Sequence, residues 1–151
     1  MANTYITHTP SNGGTPGTQK FTLSFWIKRN KLSSTQRFLG AYTSANLNTN
    51  ATFNSNDTFQ FYNRNTNAGD KYFVTNRLFR DTNAWYHFVI AIDTTLSTEA
   101  DRVKFYVNGV EETSFSEVYE PPQNYEYRWG EALAMNIGQP GTNADYFDGS
   151  I

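Results

Sequence analysis

Residues 85–110 constrain the fold more than any other part of the chain. Trp85-Tyr86-His87-Phe88-Val89-Ile90-Ala91-Ile92-Asp93 is an almost unbroken apolar and aromatic run. Its residues prefer extended backbone on both faces, which predicts a strand buried on both sides. A polar loop follows, then Arg102-Val103-Lys104-Phe105-Tyr106-Val107, where Val103, Phe105 and Val107 share one face and Arg102, Lys104 and Tyr106 the other. Asn108-Gly109 accepts positive φ at both central positions of a turn, so a two-residue type I′ hairpin closes the pair. That turn puts Val110 on the face of Val107 but Glu112 on the face of Phe105. Either a bulge lies between them or the strand leaves the sheet there.

The rest of the chain has the same texture. Phe21, Leu23, Phe25 and Ile27 alternate with Thr22, Ser24, Trp26 and Lys28, the pattern of a half-buried strand. Arg37–Tyr42 and Thr58–Tyr62 read as further strands, the latter with Phe59 and Phe61 on one face. Lys71–Phe79 is a strand with a ragged pattern, and Ala134–Gly138 a short one. The Pro/Gly-rich stretch 10–18 and the Asn/Thr-rich run Ser44–Asp57 lack a usable period and read as loops. No window longer than a turn carries apolar residues at helical spacing, so the expected fold is all-β: a two-sheet antiparallel β-sandwich or jelly roll. Its inter-sheet core is expected to hold Phe21, Leu23, Phe25, Val89, Val103, Phe105 and Val107.

With 151 residues, 17% of them aromatic, the chain can bury one substantial core. A formal net charge of −2 gives no electrostatic reason to bind a phosphate backbone, so nucleic acid is not expected as a partner. No apolar run reaches membrane length, and no membrane insertion is expected.

Three segments together resemble a known family. They are Phe21–Lys28; Trp85–Asp93 with Asp101–Gly109; and Asn136-Ile137-Gly138 with Tyr146-Phe147-Asp148-Gly149. They look like the laminin-G-like branch of the concanavalin A-like lectin/glucanase domains, in particular the copies in tail-fibre and virion proteins of marine tailed phages. The resemblance implies one laminin-G-like domain over 1–151 with a two-sheet jelly-roll fold. In the family, 146–151 look like the opening of the final strand. The expectation is therefore a sheet completed either by residues beyond Ile151 or by a neighbouring chain.

Because some relatives are glucanases, glycoside hydrolysis has to be weighed. A retaining mechanism needs two carboxyl groups ~5–5.5 Å apart, usually from acidic residues alternating along one strand face. The only acidic pair spaced by two, Glu99 and Asp101, lies in a Ser/Thr-rich loop, and no catalytic residue is expected. His87, flanked by Tyr86 and Phe88, reads as a structural imidazole. Laminin-G relatives often hold calcium at a loop rim. Asp57, Asp70, Asp145 and Asp148 are the carboxylates for such a site, the other reading being solvated acidic loops. No other cofactor is expected.

The loop 117–131 is the expected ligand surface. Tyr119, Tyr125, Tyr127 and Trp129 can cover sugar C–H faces while Glu126 and Arg128 bond hydroxyls. The competing reading is a loop folded over the sandwich with its rings in a secondary core. The function expected from all this is a non-enzymatic virion module, assembled in the host cytoplasm as a homo-oligomer, that adheres to host-surface glycans. The alternative is a purely structural virion protein contacting neighbouring virion subunits, with a glycoside hydrolase a distant third.

Overall fold

The computed structural model describes residues 5–9, 18–65, 69–129, 131–139 and 145–151. Twelve strands form two antiparallel sheets: β1 (Ile6–His8), β2 (Lys20–Arg29), β3 (Gln36–Ser44), β4 (Leu47–Phe53), β5 (Thr58–Asn65), β6 (Lys71–Leu78), β7 (Tyr86–Asp93), β8 (Val103–Val107), β9 (Val110–Glu111), β10 (Phe115–Tyr119), β11 (Met135–Ile137) and β12 (Gly149–Ser150). The seven-stranded sheet runs β1-β11-β3-β4-β5-β6-β10 and the five-stranded sheet β12-β2-β7-β8-β9. This is the expected jelly-roll sandwich. The Pro/Gly-rich stretch lies outside the described residues except for Thr18.

Among the described residues, twelve of the eighteen in the buried core cluster are aromatic, so ring packing dominates it. Phe88 from one sheet stacks on Phe59 from the other at 4.6 Å between centroids, and Phe105 packs against Phe73 at 5.2 Å. Ile27, Phe53, Phe59, Phe61, Phe79, Phe88 and Ile90 have no exposed surface at all. Each such side chain contributes about 1.5–3 kcal/mol by leaving water. Of the expected core, Val103, Phe105 and Val107 are buried, and Phe21, Leu23 and Phe25 pack partly buried against it.

Val89 is a correction. Along β7, residues 86, 88, 90 and 92 are buried and 87, 89, 91 and 93, on the outer side of the five-stranded sheet, only half-buried. The apolar run is thus a one-sided strand, and Val89 faces outward beside His87. The Asn108-Gly109 turn is as expected, with φ of 53° and 78°. Glu112 is explained by departure from the sheet. The strand register runs to Tyr106↔Glu111, one last bond joins the Glu112 N–H to the Phe105 carbonyl at 2.9 Å, and the chain then crosses to the other sheet, where Tyr119 pairs with Tyr72 of β6. The Asn/Thr-rich run, read as a loop, contains β4, whose inward positions Thr49, Ala51 and Phe53 are all buried.

One polar cluster is buried inside this shell. The Arg29 side chain is fully buried and its Nη2 lies 3.0 Å from Asp57 Oδ1, while Arg80 Nε lies 3.0 Å from Asp57 Oδ2. Ser33 N–H donates to Oδ1 at 2.9 Å, Arg29 Nη1 donates to the Phe79 carbonyl at 2.7 Å, and the guanidinium sits 4.4 Å from the centre of the Phe53 ring. Burial pushes the Asp57 carboxyl up, but the Ser33 amide and the two guanidinium groups outweigh it and hold the group below its usual range.

Candidate functional site

Three of the four aromatic side chains of the loop 117–131 turn inward. Trp129 is 2% exposed and stacks on Phe61 at 5.6 Å and 19°. Tyr127 is fully buried, edge-on to Phe21, and burial raises its phenol well above the ordinary value. Tyr125 is 5% exposed, and its hydroxyl accepts from Asn63 Nδ2 at 2.8 Å. Asn63 also anchors the loop by accepting from the Arg128 N–H at 3.1 Å, while Thr94 Oγ1 donates to the Tyr125 carbonyl and Arg102 Nη1 to that of Pro121. These three rings cannot offer faces to a ligand, which corrects the sequence reading of Tyr125, Tyr127 and Trp129. Their spacing at every second residue was the available signal: it marks an extended segment with one buried face. Of the polar pair, Glu126 is exposed, and Arg128 is held by Glu131 at 2.8 Å. Tyr119 alone remains a surface aromatic, at 55% exposure, on the outer edge of the seven-stranded sheet.

The four aspartates are not brought together. Both Asp57 oxygens are taken by arginines, Asp70 accepts from the Tyr62 hydroxyl at 2.9 Å, Asp145 pairs with Arg37, and Asp148 lies beside the end of β2. Among the described residues no group of three or more His, Cys, Asp or Glu could hold a metal ion. Glu99 and Asp101 share a short 3₁₀ turn, where Asp101 pairs with Lys104 at 3.3 Å. His87 lies on the outer face of the other sheet, its ring stacked on Trp26 at 4.7 Å and its Nε2 3.0 Å from Ser24 Oγ.

The feature that sequence reasoning missed is a groove of about 390 Å³ on the outer face of the seven-stranded sheet. β3 supplies Arg37 and Tyr42, β4 supplies Asn48 and Asn50, β5 supplies Gln60, Tyr62 and Arg64, and Ala45 closes one end. Strand alternation explains the lining. On β4 and β5 the positions between these residues are Thr49, Ala51, Phe59, Phe61 and Asn63, all turned into the sandwich. Gly40 sits opposite Asn50, and a Cβ there would come within 2.6 Å of the Thr49 carbonyl oxygen. The floor is therefore flat where β3 and β4 meet.

The amides are pre-oriented. Thr52 Oγ1 donates to Asn50 Oδ1 at 2.7 Å, Asn50 Nδ2 to Asn48 Oδ1 at 3.3 Å, and Asn48 Nδ2 to the carbonyls of Ser44 and Ala45. Burial first, then the bond to Asp70, pushes the Tyr62 phenol up to about 12, so it stays protonated at neutral pH. The lining thus combines two guanidinium groups, three amides and two phenols, with no carboxylate among its walls. It can exchange many hydrogen bonds with a polyhydroxylated surface.

A family profile described as the concanavalin A-like lectin/glucanases superfamily, of laminin G type, matches residues 1–151. A sequence search of curated proteins finds no match. Among solved structures, a sialidase carbohydrate-binding module of Ruminococcus gnavus bound to α2,3-sialyllactose is similar at 16% identity and a TM-score of 0.61, covering 100% of this chain and 89% of that one. Domain 4 of an extracellular arabinanase from Geobacillus stearothermophilus, in complex with arabinotriose, is similar at 14% identity and a TM-score of 0.57, covering 91% and 60%. Domains LG4-5 of the mouse laminin α1 chain are similar at 12% identity and a TM-score of 0.61, covering 99% and 36%. At these identities the likeness is one of fold.

Proposed function

The chain belongs to the concanavalin A-like lectin/glucanases superfamily, and we propose that within it this protein is a non-catalytic carbohydrate-binding module whose sugar lies in the groove of the seven-stranded sheet. The observation that carries the reading is the lining itself. Two ordered amides, the further amide of Gln60, two arginines and two tyrosines line the outer face of the sheet. Amides donate and accept at once, as adjacent sugar hydroxyls require, and tyrosine rings cover the C–H faces between them. Two of the similar folds hold saccharides, sialyllactose in one and arabinotriose in the other, which supports a sugar as the ligand.

The resemblance of the three strand segments to phage virion copies extends the proposal to its setting. In that reading the module is a homo-oligomeric part of a particle, seated among other virion proteins and directed at a host-surface glycan.

The test is a glycan array followed by titration of the best binder. Tyr42 is 42% exposed and Gln60 lies on the outer face, so neither supports the core. Tyr42→Ala and Gln60→Ala should each weaken binding about tenfold or more, some 1.4 kcal/mol, with the melting temperature unchanged. An array on which the parent binds no sugar, or variants that bind as the parent does, would overturn the reading.

A further inference from the structure

The groove does not end at β5. Tyr62, which forms part of its wall, is directly opposite Tyr72 on β6, and Tyr72 is directly opposite Tyr119 on β10. On the other side Tyr62 is opposite Asn50, and Asn50 is opposite Gly40. Gly40, Asn50, Tyr62, Tyr72 and Tyr119 therefore form one straight row across five neighbouring strands, and directly opposed residues share a sheet face. At ~4.8 Å per strand the row is about 19 Å long.

The ring contacts make the row continuous. Tyr62 and Tyr72 are 6.0 Å apart between centroids, and Tyr72 and Tyr119 stack at 4.5 Å and 29°. Tyr119, on the last strand of the sheet, has its second face turned away from Tyr72. The Tyr72 phenol is pushed up to about 12 by burial and by its bond to Tyr119, so it too stays protonated at neutral pH. The core does not require these tyrosines, since the inward partners on the same strands are Phe61 and Phe73.

We infer that the ligand is an oligosaccharide of several residues laid across the strands, one end in the groove at Asn50 and Tyr62 and the other on Tyr119 at the sheet edge. This rests on the carbohydrate-binding reading. A single sugar would be served by the groove alone and would leave Tyr72 and Tyr119 unused, whereas a chain running along the row meets hydroxyl or amide groups at each strand and an open ring face at its end.

The experiment is titration of the full chain with length series, monomer to hexamer, of β1,4-linked glucose, β1,4-linked xylose, β1,4-linked N-acetylglucosamine and α1,5-linked arabinose. Affinity in the binding series should rise about tenfold or more from disaccharide to pentamer. Tyr119→Ala should erase that rise and leave disaccharide affinity unchanged, while Gln60→Ala weakens every length. Equal affinity for short and long members, or a rise that survives in Tyr119→Ala, would overturn the inference while leaving the carbohydrate reading in place. No binding to any series at any length would overturn both.

Discussion

Replacing Asp57 by Asn removes one charge from the interior and, with its amide oxygen at Oδ1, turns an N–H donor toward Arg80 Nε, which donates to Oδ2 in the parent. Asp57 has φ of 69°, a conformation that Asn also adopts readily, so the turn between β4 and β5 is not strained by the change. The amide oxygen can still accept from Ser33 and Arg29. What changes is that the Arg29 side chain, with no exposed surface, loses its counter-ion. Breaking a buried pair in this way costs 3–5 kcal/mol in general, and about 3 is expected here because Arg29 keeps the Phe79 carbonyl and the face of Phe53. For a chain of this size the melting temperature should fall by roughly 6–12 °C.

The pH dependence supplies the sharper check. A carboxyl group held below its ordinary value in the folded state contributes stability above the unfolded value, about 3.9, and that stability disappears as pH falls through the folded value. Protonated Asp57 resembles Asn. Urea melts of parent and variant should therefore differ by about 3 kcal/mol at pH 7, begin to converge as pH falls below about 4 and meet only below the folded value. A difference under about 1 kcal/mol at neutral pH, or one that stays constant into acid, would refute the argument that this charge pair matters to stability.

Trp129→Ala should cost about 3–5 kcal/mol by emptying the space against Phe61, read by denaturant melts, while the folded variant keeps the groove's affinity for sugar. Gly40→Ala should cost about 1–3 kcal/mol, because its Cβ meets backbone oxygen at 2.6 Å and β3 and β4 must part; thermal melting checks it. The Tyr62 and Tyr72 phenols, both raised to about 12, should ionise after the exposed phenols in an ultraviolet alkaline titration, in a late phase shared with buried Tyr127 that loses amplitude in Tyr62→Phe and Tyr72→Phe. Because the folded state favours the neutral phenols, their share of stability is present below about pH 10 and lost as pH rises toward 12.

The strands were legible wherever large apolar side chains marked the inward face, as in β2, β5, β7 and β8. β4 was not, because its inward residues include Thr49 and Ala51, and Asn and Thr on its outer face look the same in sequence as a polar loop. The outer face of β7 misled for the opposite reason: Val89 and Ala91 are apolar yet only half covered. Aromatic content drew attention to the loop 117–131, but composition does not reveal which way a ring points, and Tyr125, Tyr127 and Trp129 turn inward. Only Tyr119 of that group lies on the face proposed to bind. The row it completes depends on pairing between residues far apart in the chain, which no local pattern encodes.

The strands β3, β4, β5 and β6 follow one another as simple hairpins, so the whole groove is written in residues 37–64, one letter in two. Positions 48, 60, 62 and 64 on β4 and β5 are half-buried and line the groove, while 49, 51, 53, 59, 61 and 63 hold the sandwich together. A lineage, or an engineer, can rewrite positions 48, 60, 62 and 64 to suit a different sugar while the intervening letters keep specifying the same fold. Recognition in such a molecule can drift quickly against a scaffold that barely changes. A library randomised at those four positions should consequently yield mostly folded members with divergent sugar preferences.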